Sequence, residues 1–178
     1  NKIDIEHSYY EATYRIATTL AEREYTILTG GGLGVAEAAN KASRDVGRPA
    51  HAMVLMAEGR EKSLNQYIDT FITFDFPFTR QAILTGPTNS YLFCPGGLGT
   101  LHQLFEVLTL VQTEKVTTSP LILYDDTFWS PLMDFIQNTL SETYRTISPE
   151  DVDLMHVTKD EKSVVEIIGK AFDTKESE

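Results

Sequence analysis

The chain has 178 residues, a formal net charge of −11 and 42% apolar residues. This length fits one domain, and the apolar share is enough to build a core of that size. The acidic balance excludes nucleic acids and anionic membrane surfaces as partners, because both are bound by clusters of basic side chains. A single phosphate group is still a possible ligand, since backbone amides can bind it locally.

The cysteine content and the hydropathy of the sequence indicate in which compartment the protein is expected. Cys94 is the single cysteine, so no internal disulfide can form, which fits a reducing cytoplasm. No apolar run approaches the ~20 residues of a membrane-spanning helix, and no signal-peptide pattern is present. We therefore expect a cytoplasmic protein with no membrane partner, in which Cys94 fills the core at the end of a strand.

Helical periodicity and β-prone runs alternate along the chain. They predict six helices, at residues 7–24, 34–46, 77–86, 100–112, 128–143 and 161–172. They also predict six strands, at residues 25–29, 49–56, 70–74, 90–94, 120–124 and 154–157. We interpret residues 1–172 as a single nucleotide-binding domain and expect the polar tail, residues 173–178, to fray.

This alternation is typical of an α/β fold, a Rossmann-like three-layer αβα arrangement with a mainly parallel sheet. Folds of this kind usually open with a strand, whereas the first predicted element here is a helix. We therefore expect a first strand to be missing from the chain as given.

The first glycine-rich loop follows a predicted strand and enters a predicted helix. Its glycines are Gly30, Gly31, Gly32 and Gly34. Glycine lets a ligand approach the backbone closely, and the following helix presents unpaired N–H groups to an anion. A tight turn without a ligand would need fewer glycines, so the loop is interpreted as a phosphate site. Glu37, in the first turn of that helix, either faces ribose hydroxyls or favours the helix dipole.

The second glycine-rich loop has the same setting. Its candidate ligand-binding residues are Gly96, Gly97, Gly99 and Thr100. Thr100 can cap the helix that follows and can donate its hydroxyl to a phosphate. Because ligands bind at the carboxyl ends of parallel strands, we expect both loops on the same edge of the sheet.

Neither loop matches a pattern that would identify the ligand outright. Val35 and Ala36 follow Gly34, so the first loop is not the dinucleotide fingerprint G-x-G-x-x-G, and no acidic residue clearly follows the next strand. Neither loop carries the lysine and Ser/Thr of a Walker A loop. Nicotinamide-dependent oxidoreductases and ATPases are therefore disfavoured, and no cofactor or metal is expected.

Three segments together resemble the LONELY GUY family. Residues 30–40, GGGLGVAEAAN, resemble its G-G-G-x-G-x-M-E-A-A-N segment, and residues 95–100, PGGLGT, resemble its P-G-G-x-G-T signature. Phe78-Thr79-Arg80-Gln81 stands where the family has aromatic-x-Arg-Lys. The resemblance spans nearly the whole chain.

The resemblance implies a Rossmann-like fold and a homodimer with active sites near the subunit interface. It also implies hydrolysis of a nucleoside 5′-monophosphate such as AMP, or of a cytokinin riboside 5′-monophosphate, to a free base and ribose 5-phosphate. Arg80 would bind a phosphate or a developing charge. Members have been called lysine decarboxylases, but we find no Schiff-base lysine site for pyridoxal phosphate.

Three positions depart from the family pattern. The catalytic glutamate of P-G-G-x-G-T-x-x-E is Gln103 here, the lysine after the arginine is Gln81, and the methionine of the first motif is Ala36. Glutamine keeps the shape of glutamate but has no negative charge and cannot take a proton in this role. Gln103 thus occupies the catalytic position, and its lack of charge predicts a weakened or altered enzyme.

Other side chains are weaker candidates. Glu106 is one helical turn beyond Gln103 and either reaches the site or is a solvated helix residue. His102 is a less favoured base, since neighbouring helix residues point ~100° apart. Asn40 and Thr85 are read as packing or capping residues, and Trp129 as the anchor of a helix start. The aromatic set assigned to the core or a dimer surface comprises Phe71, Phe74, Phe76 and Phe78.

Two functions stay open from the sequence. The first is a nucleotide hydrolase that cleaves the N-glycosidic bond, indicated by the two loops and Arg80. The second is a nucleotide-binding or sensor protein without turnover, indicated by Gln103 and Gln81.

Overall fold

The computed structural model describes residues 8–56, 64–116 and 119–175. The chain divides into two compact units, Asn1–Pro87 and Thr88–Glu178, which are described in turn. Among the described residues, no helix is both long enough and apolar enough to cross a bilayer.

Within its described residues, 8–56 and 64–87, the first unit contains a three-stranded parallel sheet and three helices. Its elements are α1 (Ser8–Glu22), β1 (Leu28–Thr29), α2 (Val35–Asp45), β2 (His51–Leu55), β3 (Thr70–Phe74) and α3 (Pro77–Thr85). The strand order is β1-β2-β3, so β2 lies in the middle. Leu28 pairs with His51, and His51 pairs with Thr70. Each strand in this unit therefore ends at the same edge of the sheet.

Small side chains hold α1 against α2. Ala17, Ala39 and Ala42 form a buried cluster against which Tyr14 and Ile27 pack. Alanine favours helix formation and has no bulk beyond Cβ, so two helices lined with it can pack closely. Helix α2 directly follows the first glycine loop, and its packing on α1 therefore fixes the position of the carboxyl-terminal end of the loop.

The second unit contains another three-stranded parallel sheet. Its elements are β4 (Tyr91–Phe93), α4 (Leu98–Gln112), β5 (Leu121–Tyr124), α5 (Asp126–Asp134), a π-helix (Phe135–Thr143), α6 (Pro149–Val152), β6 (Met155–Thr158) and α7 (Glu161–Lys175). The strand order is β4-β5-β6. All four residues of β5 are buried, as expected for a central strand covered on both faces.

The core of the second unit includes Tyr91, Leu104, Leu121 and Trp129. Trp129 is fully buried in it, and its indole N–H donates to the carbonyl of Tyr124 at 3.1 Å. The predicted role of Trp129 at the start of a helix is confirmed, because it anchors α5 to the end of β5. Cys94 is buried directly after β4, as predicted.

The predicted α/β fold with parallel sheets is confirmed, but several local predictions are wrong. Helix α4 begins at Leu98 rather than at Thr100. The apolar spacing of this helix places Phe105 on the same face as Leu104 and Val111, but Phe105 is 40% exposed, because the buried stripe runs through Leu104, Val107 and Val111. A Phe105 ring lies one residue, and so ~100°, away from that stripe.

The aromatic set around β3 also differs from the core prediction. Phe71, Phe76 and Phe78 are each more than half exposed, and Phe74 is half-buried. Phe71 and Phe74 lie on β3, an outer strand of the described sheet, Phe76 directly precedes α3, and Phe78 is in the first turn of α3. The alternative prediction, a surface for a second subunit, is untested.

Two features of the second unit were not predicted. The helix expected over residues 128–143 is α5 followed by a π-helix, and Pro131 lies inside α5. A short helix, α6, also begins with Pro149, whose fixed φ suits the first helical turn. At the carboxyl end, α7 continues three residues past the predicted residue 172, and residues 176–178 lie outside the described chain.

Candidate functional site

The first glycine loop is shaped by one residue in a left-handed conformation. Gly31 has φ +75° and is buried, and a Cβ there would lie 3.0 Å from Cγ2 of Val54. Its N–H donates to Thr29 Oγ1 at 3.0 Å. Only glycine fits this conformation and this close approach, so Gly31 is needed for the backbone conformation of the loop. Gly32, in contrast, has no heavy atom within 4 Å of an added Cβ.

Two buried asparagines hold the loop in this conformation. Asn40 is fully buried on α2, and its Oδ1 accepts from Thr29 Oγ1 at 2.7 Å and from Asn65 Nδ2 at 3.1 Å. Asn65 Nδ2 also donates to the carbonyls of Gly31 and Gly32, at 3.2 and 3.0 Å. Buried amides bonded in this way fix a loop firmly, because any change leaves polar groups unpaired.

Asn40 therefore has the packing role that was predicted. Asn65 is a residue that sequence reasoning missed. It lies between β2 and β3, far from either motif, and nothing in its local pattern marks it. The equivalent packing role predicted for Thr85 is confirmed, since its buried hydroxyl accepts from Gln81 Nε2 at 3.2 Å.

Arg80 lies against the first loop. Its Nε donates to the carbonyl of Met53 at 2.9 Å, which fixes the guanidinium to the middle of β2. A Cβ built on Gly30 would lie only 2.6 Å from Arg80 Nη2. The absent side chain of Gly30 thus makes room for the guanidinium. Loop and arginine, predicted independently from two motifs, come together within the first unit.

Glu37 is turned back toward the start of its helix. Its Oε2 accepts from the N–H of Gly34 at 3.4 Å, and Gly34, at φ +79°, is the residue before α2. The carboxylate thereby occupies one of the amides that a bound anion could use. This contact favours the helix-capping interpretation of Glu37, and its predicted part in nucleotide binding stays a prediction.

The second loop enters α4 through Gly97, which precedes the first helical residue. Thr100 was expected to cap this helix, but it lies inside the first turn and makes no capping bond. The prediction is wrong because the backbone becomes helical two residues earlier. Thr100 instead packs over Gly96, where an added Cβ would overlap the threonine side chain. Gly99 is exposed, with open space where its side chain would be.

Helix α4 carries the three polar candidates that follow this loop. Gln103 is half-buried, and Glu106 lies one turn further on. Glu106 Oε2 is buried and accepts no hydrogen bond from any described residue. His102 Nε2 lies 3.8 Å from that oxygen, with the His102 side chain 59% exposed and that of Glu106 28% exposed. Glu106 is therefore not the fully solvated helix residue of the alternative interpretation.

The site residues fall into two groups according to unit. Arg80 and the first loop are together in the first unit, where Gly32 leaves an open backbone surface beside a fixed cation. The second loop with Gln103 and Glu106 is in the second unit, where a carboxylate oxygen lacks a donor. The first group can hold an anion, and the second can hold or deprotonate a hydroxyl or water.

Several curated proteins similar to this chain are plant enzymes. It is 27% identical over 138 residues to a cytokinin riboside 5′-monophosphate phosphoribohydrolase of Arabidopsis thaliana, covering 77% of this chain and 65% of that protein. It is 25% identical over 138 residues to an enzyme of the same name from Oryza sativa subsp. japonica, covering 77% of this chain and 57% of that one. The match thus spans less than two thirds of these relatives.

Solved structures share the fold. The molybdenum cofactor binding protein of Rippkaea orientalis superposes with a TM-score of 0.68 at 18% identity, covering 93% of this chain and 88% of that one. The molybdenum cofactor carrier protein of Chlamydomonas reinhardtii gives the same TM-score and coverage at 17% identity. At such identities the likeness speaks for the fold alone.

A family model described as "possible lysine decarboxylase" matches residues 35–168, about three quarters of the chain. The matched region runs from the start of α2 into α7 and includes Arg80 and the whole of the second glycine loop. Together with the plant relatives, this match shows that the chain belongs to the LONELY GUY family, whose family model carries the lysine decarboxylase description.

Proposed function

We propose that this protein binds a nucleoside 5′-monophosphate through its two glycine-rich loops and hydrolyses the N-glycosidic bond. The products would be a free base and ribose 5-phosphate. The observation that carries the proposal is the Arg80 guanidinium, held by the Met53 carbonyl against Gly30 of the first loop. The named activity of the plant relatives supports the same reaction class.

The first loop and Arg80 supply what a phosphate needs. Arg80 donates from Nε to the Met53 carbonyl, and its guanidinium, a planar fork suited to phosphate oxygens, lies beside Gly30 of the loop. Backbone amides beside an open glycine surface add neutral donors. These local donors matter because a chain of net charge −11 otherwise repels an anion.

The chemical step needs a carboxylate near the sugar. Cleavage passes through a ribosyl cation, which a carboxylate stabilises or attacks through an activated water, as in glycosidases. Gln103 cannot do either, since its amide is neutral. Glu106 is on the same helix, one turn away, and is the carboxylate that the site retains. We expect slow but measurable turnover.

A panel assay tests this function. Purified protein is incubated with AMP, other common nucleoside 5′-monophosphates and a cytokinin riboside 5′-monophosphate, and free base is measured by chromatography. The matching nucleosides, which lack the phosphate, serve as controls. Base release from at least one monophosphate, and much less from its nucleoside, is expected; no release across the panel would contradict the proposal.

Nucleotide binding without turnover is the second candidate, and Gln103 favours it. Calorimetry would then show saturable binding of a monophosphate while the panel shows no free base. Restored base release in Gln103→Glu would mean that only the charge is missing. Wild-type turnover that is lost in Gln103→Ala would remove this candidate.

A homodimer is part of the same proposal. The exposed aromatic side chains Phe71, Phe76 and Phe78 lie close together in the chain, and the rings of Phe76 and Phe78 are 5.8 Å apart. Clustered exposed aromatics are typical of interaction surfaces. We expect light scattering to give twice the chain mass for the wild type and a monomer for Phe78→Ser. A monomeric wild type would contradict this.

A further inference from the structure

We infer that Glu106 is the catalytic carboxylate of the proposed hydrolysis and that His102 is its positioning residue. The inference rests on the proposed function and assigns the chemical role that Gln103 leaves vacant. It depends on three observations in α4: an oxygen without a donor, a neighbouring imidazole and a shared stripe on the helix.

The first observation is the state of Glu106 Oε2. This atom is buried, and no described residue donates a hydrogen bond to it. A buried carboxylate oxygen without a donor is costly, and proteins seldom keep one for packing alone. The side chain as a whole is 28% exposed, so this buried oxygen belongs to a side chain that borders the solvent. A water or a ribose hydroxyl is the donor that this oxygen lacks.

The second observation is the imidazole beside it. His102 Nε2 lies 3.8 Å from Glu106 Oε2, too far for a hydrogen bond but close enough for electrostatic attraction when the ring is protonated. His102 is one turn earlier on the same helix, and its 59% exposure leaves it in contact with solvent. It can therefore hold the carboxylate in place without using up the lone pairs of Oε2.

The third observation is the order of residues along α4. Gly99, Gln103 and Glu106 are spaced by four and three residues, so they lie on one stripe of the helix. Gly99 has open space where a side chain would be. A ligand that approaches the backbone there meets Gln103 one turn along and Glu106 within two turns, about 10 Å.

The step can be written with atoms and charges in balance. The C1′–N bond breaks, and its electron pair goes to the nitrogen of the leaving base. Water forms the new C1′–O bond while one of its protons passes to Glu106. That proton is then delivered to the base nitrogen, which regenerates the carboxylate and leaves a hydroxyl on C1′. Gln103, next to it, holds the water or sugar by hydrogen bonds.

The test compares Glu106→Gln with its surface control Glu166→Gln, which changes an exposed carboxylate on α7. Glutamine keeps the shape of the side chain, so we expect both variants to fold, and their melting temperatures check this. We expect kcat on the best monophosphate to fall at least ~100-fold in Glu106→Gln, with KM within threefold, because a positioned base is worth ~10²–10⁴ in rate. Glu166→Gln should match the wild type.

Two further variants separate a catalytic role from a structural one. Adding Gln103→Glu to Glu106→Gln should restore at least a tenth of the wild-type kcat, since it returns a carboxylate to the stripe. His102→Asn should lower kcat several-fold with KM unchanged, and should have no effect once Glu106 is Gln.

Full kcat in Glu106→Gln, with base release by the wild type intact, would overturn the inference while leaving the proposed function standing. Absence of base release by the wild type and by Gln103→Glu alike would instead overturn the proposed function, and this inference with it. A fall in kcat that Gln103→Glu does not restore would assign Glu106 to structure rather than chemistry.

Discussion

At the scale of single residues, the first loop is held in shape by hydrogen bonds from Asn40 and Asn65 and by Arg80 beside it. Arg80 is bound to a backbone carbonyl, and Asn40 and Asn65 are bound to the loop from beneath. The loop is therefore held in shape before any ligand arrives. A site that is organised in advance loses less entropy on binding.

Arg80→Ala should weaken AMP binding at least tenfold and leave the melting temperature within about 2 °C of the wild type. The guanidinium supplies the charge for the phosphate, whereas its bond to the Met53 carbonyl is made by a half-buried side chain, so we expect its loss to affect binding more than stability. Calorimetry with AMP measures this. Arg23→Ala, at an exposed arginine after α1, is the matched control and should bind like the wild type. Equal affinity in both variants would refute the role of Arg80.

Asn40→Ala should destabilise the protein by roughly 2–4 kcal/mol. The change removes the bonds that the fully buried Asn40 side chain makes with Thr29 Oγ1, Asn65 Nδ2 and the His51 carbonyl. Urea unfolding measures the loss. A loss below ~0.5 kcal/mol, such as a surface substitution gives, would show that the network contributes little.

At the scale of elements, the glycines of the two loops have different structural roles. Gly31 adopts a left-handed conformation and is enclosed by side chains, so it shapes the backbone. Gly99 is in the first turn of a helix with free space around it, so no packing demands glycine there. A glycine that the fold does not need, at a helix start, is best explained by what approaches it.

Gly99→Ala should therefore separate stability from function. Alanine is the better helix former, and the variant should gain up to about 1 kcal/mol in unfolding free energy. Nucleotide affinity should fall, because the new methyl group stands where the ligand approaches. Thermal melting and calorimetry on the same sample give both values. A variant that is both more stable and equally tight in binding would contradict the assignment of Gly99.

Sequence patterns predicted these elements well where a local rule governs them. The strand at residues 70–74 has the predicted bounds, and the α3 helix starts at the predicted Pro77. The π-helix was missed because its apolar spacing resembles that of an α-helix. The start of α4 was misplaced because Thr100 is a common capping residue, whereas Gly97 takes that position.

The motifs of the candidate site could be predicted from the sequence, but the residues that hold the loop and Arg80 in place could not. Arg80 and the first loop are marked by residue types that are rare without a ligand. Asn65 reaches the loop by hydrogen bonds across the fold, and the Met53 carbonyl is near the loop because β2 pairs with β1. Arg80, on α3, then bonds to that carbonyl. Such contacts depend on tertiary structure, which no local pattern encodes.

At the scale of the whole molecule, each unit has its own parallel sheet and its own core. The second unit's core includes Tyr91, whose hydroxyl donates a long bond of 3.4 Å to the carbonyl of Thr88. Burial raises the pKa of Tyr91 to about 12. The folded state therefore favours the neutral phenol, and stability depends on its protonation at high pH.

Tyr91 should make the protein less stable in alkali. The pKa of tyrosine in an unfolded chain is ~10, so between pH 10 and about 12 the unfolded state loses a proton that the folded state keeps. Stability is complete below pH 10 and falls as the pH rises, by roughly 1 kcal/mol at pH 11. Urea unfolding of wild type and Tyr91→Phe at pH 8 and 11 should show a smaller fall in the variant. Equal falls would contradict this.

The most direct measurement follows adenine and ribose 5-phosphate together while wild type, Arg80→Ala and Gln103→Glu are incubated with AMP, or with the best monophosphate of the panel. Equal amounts of both products from the wild type, a loss in Arg80→Ala and a gain in Gln103→Glu are the expected result. Neither product from the wild type or from Gln103→Glu, with any monophosphate, would contradict the assignment of this protein as a nucleotide hydrolase.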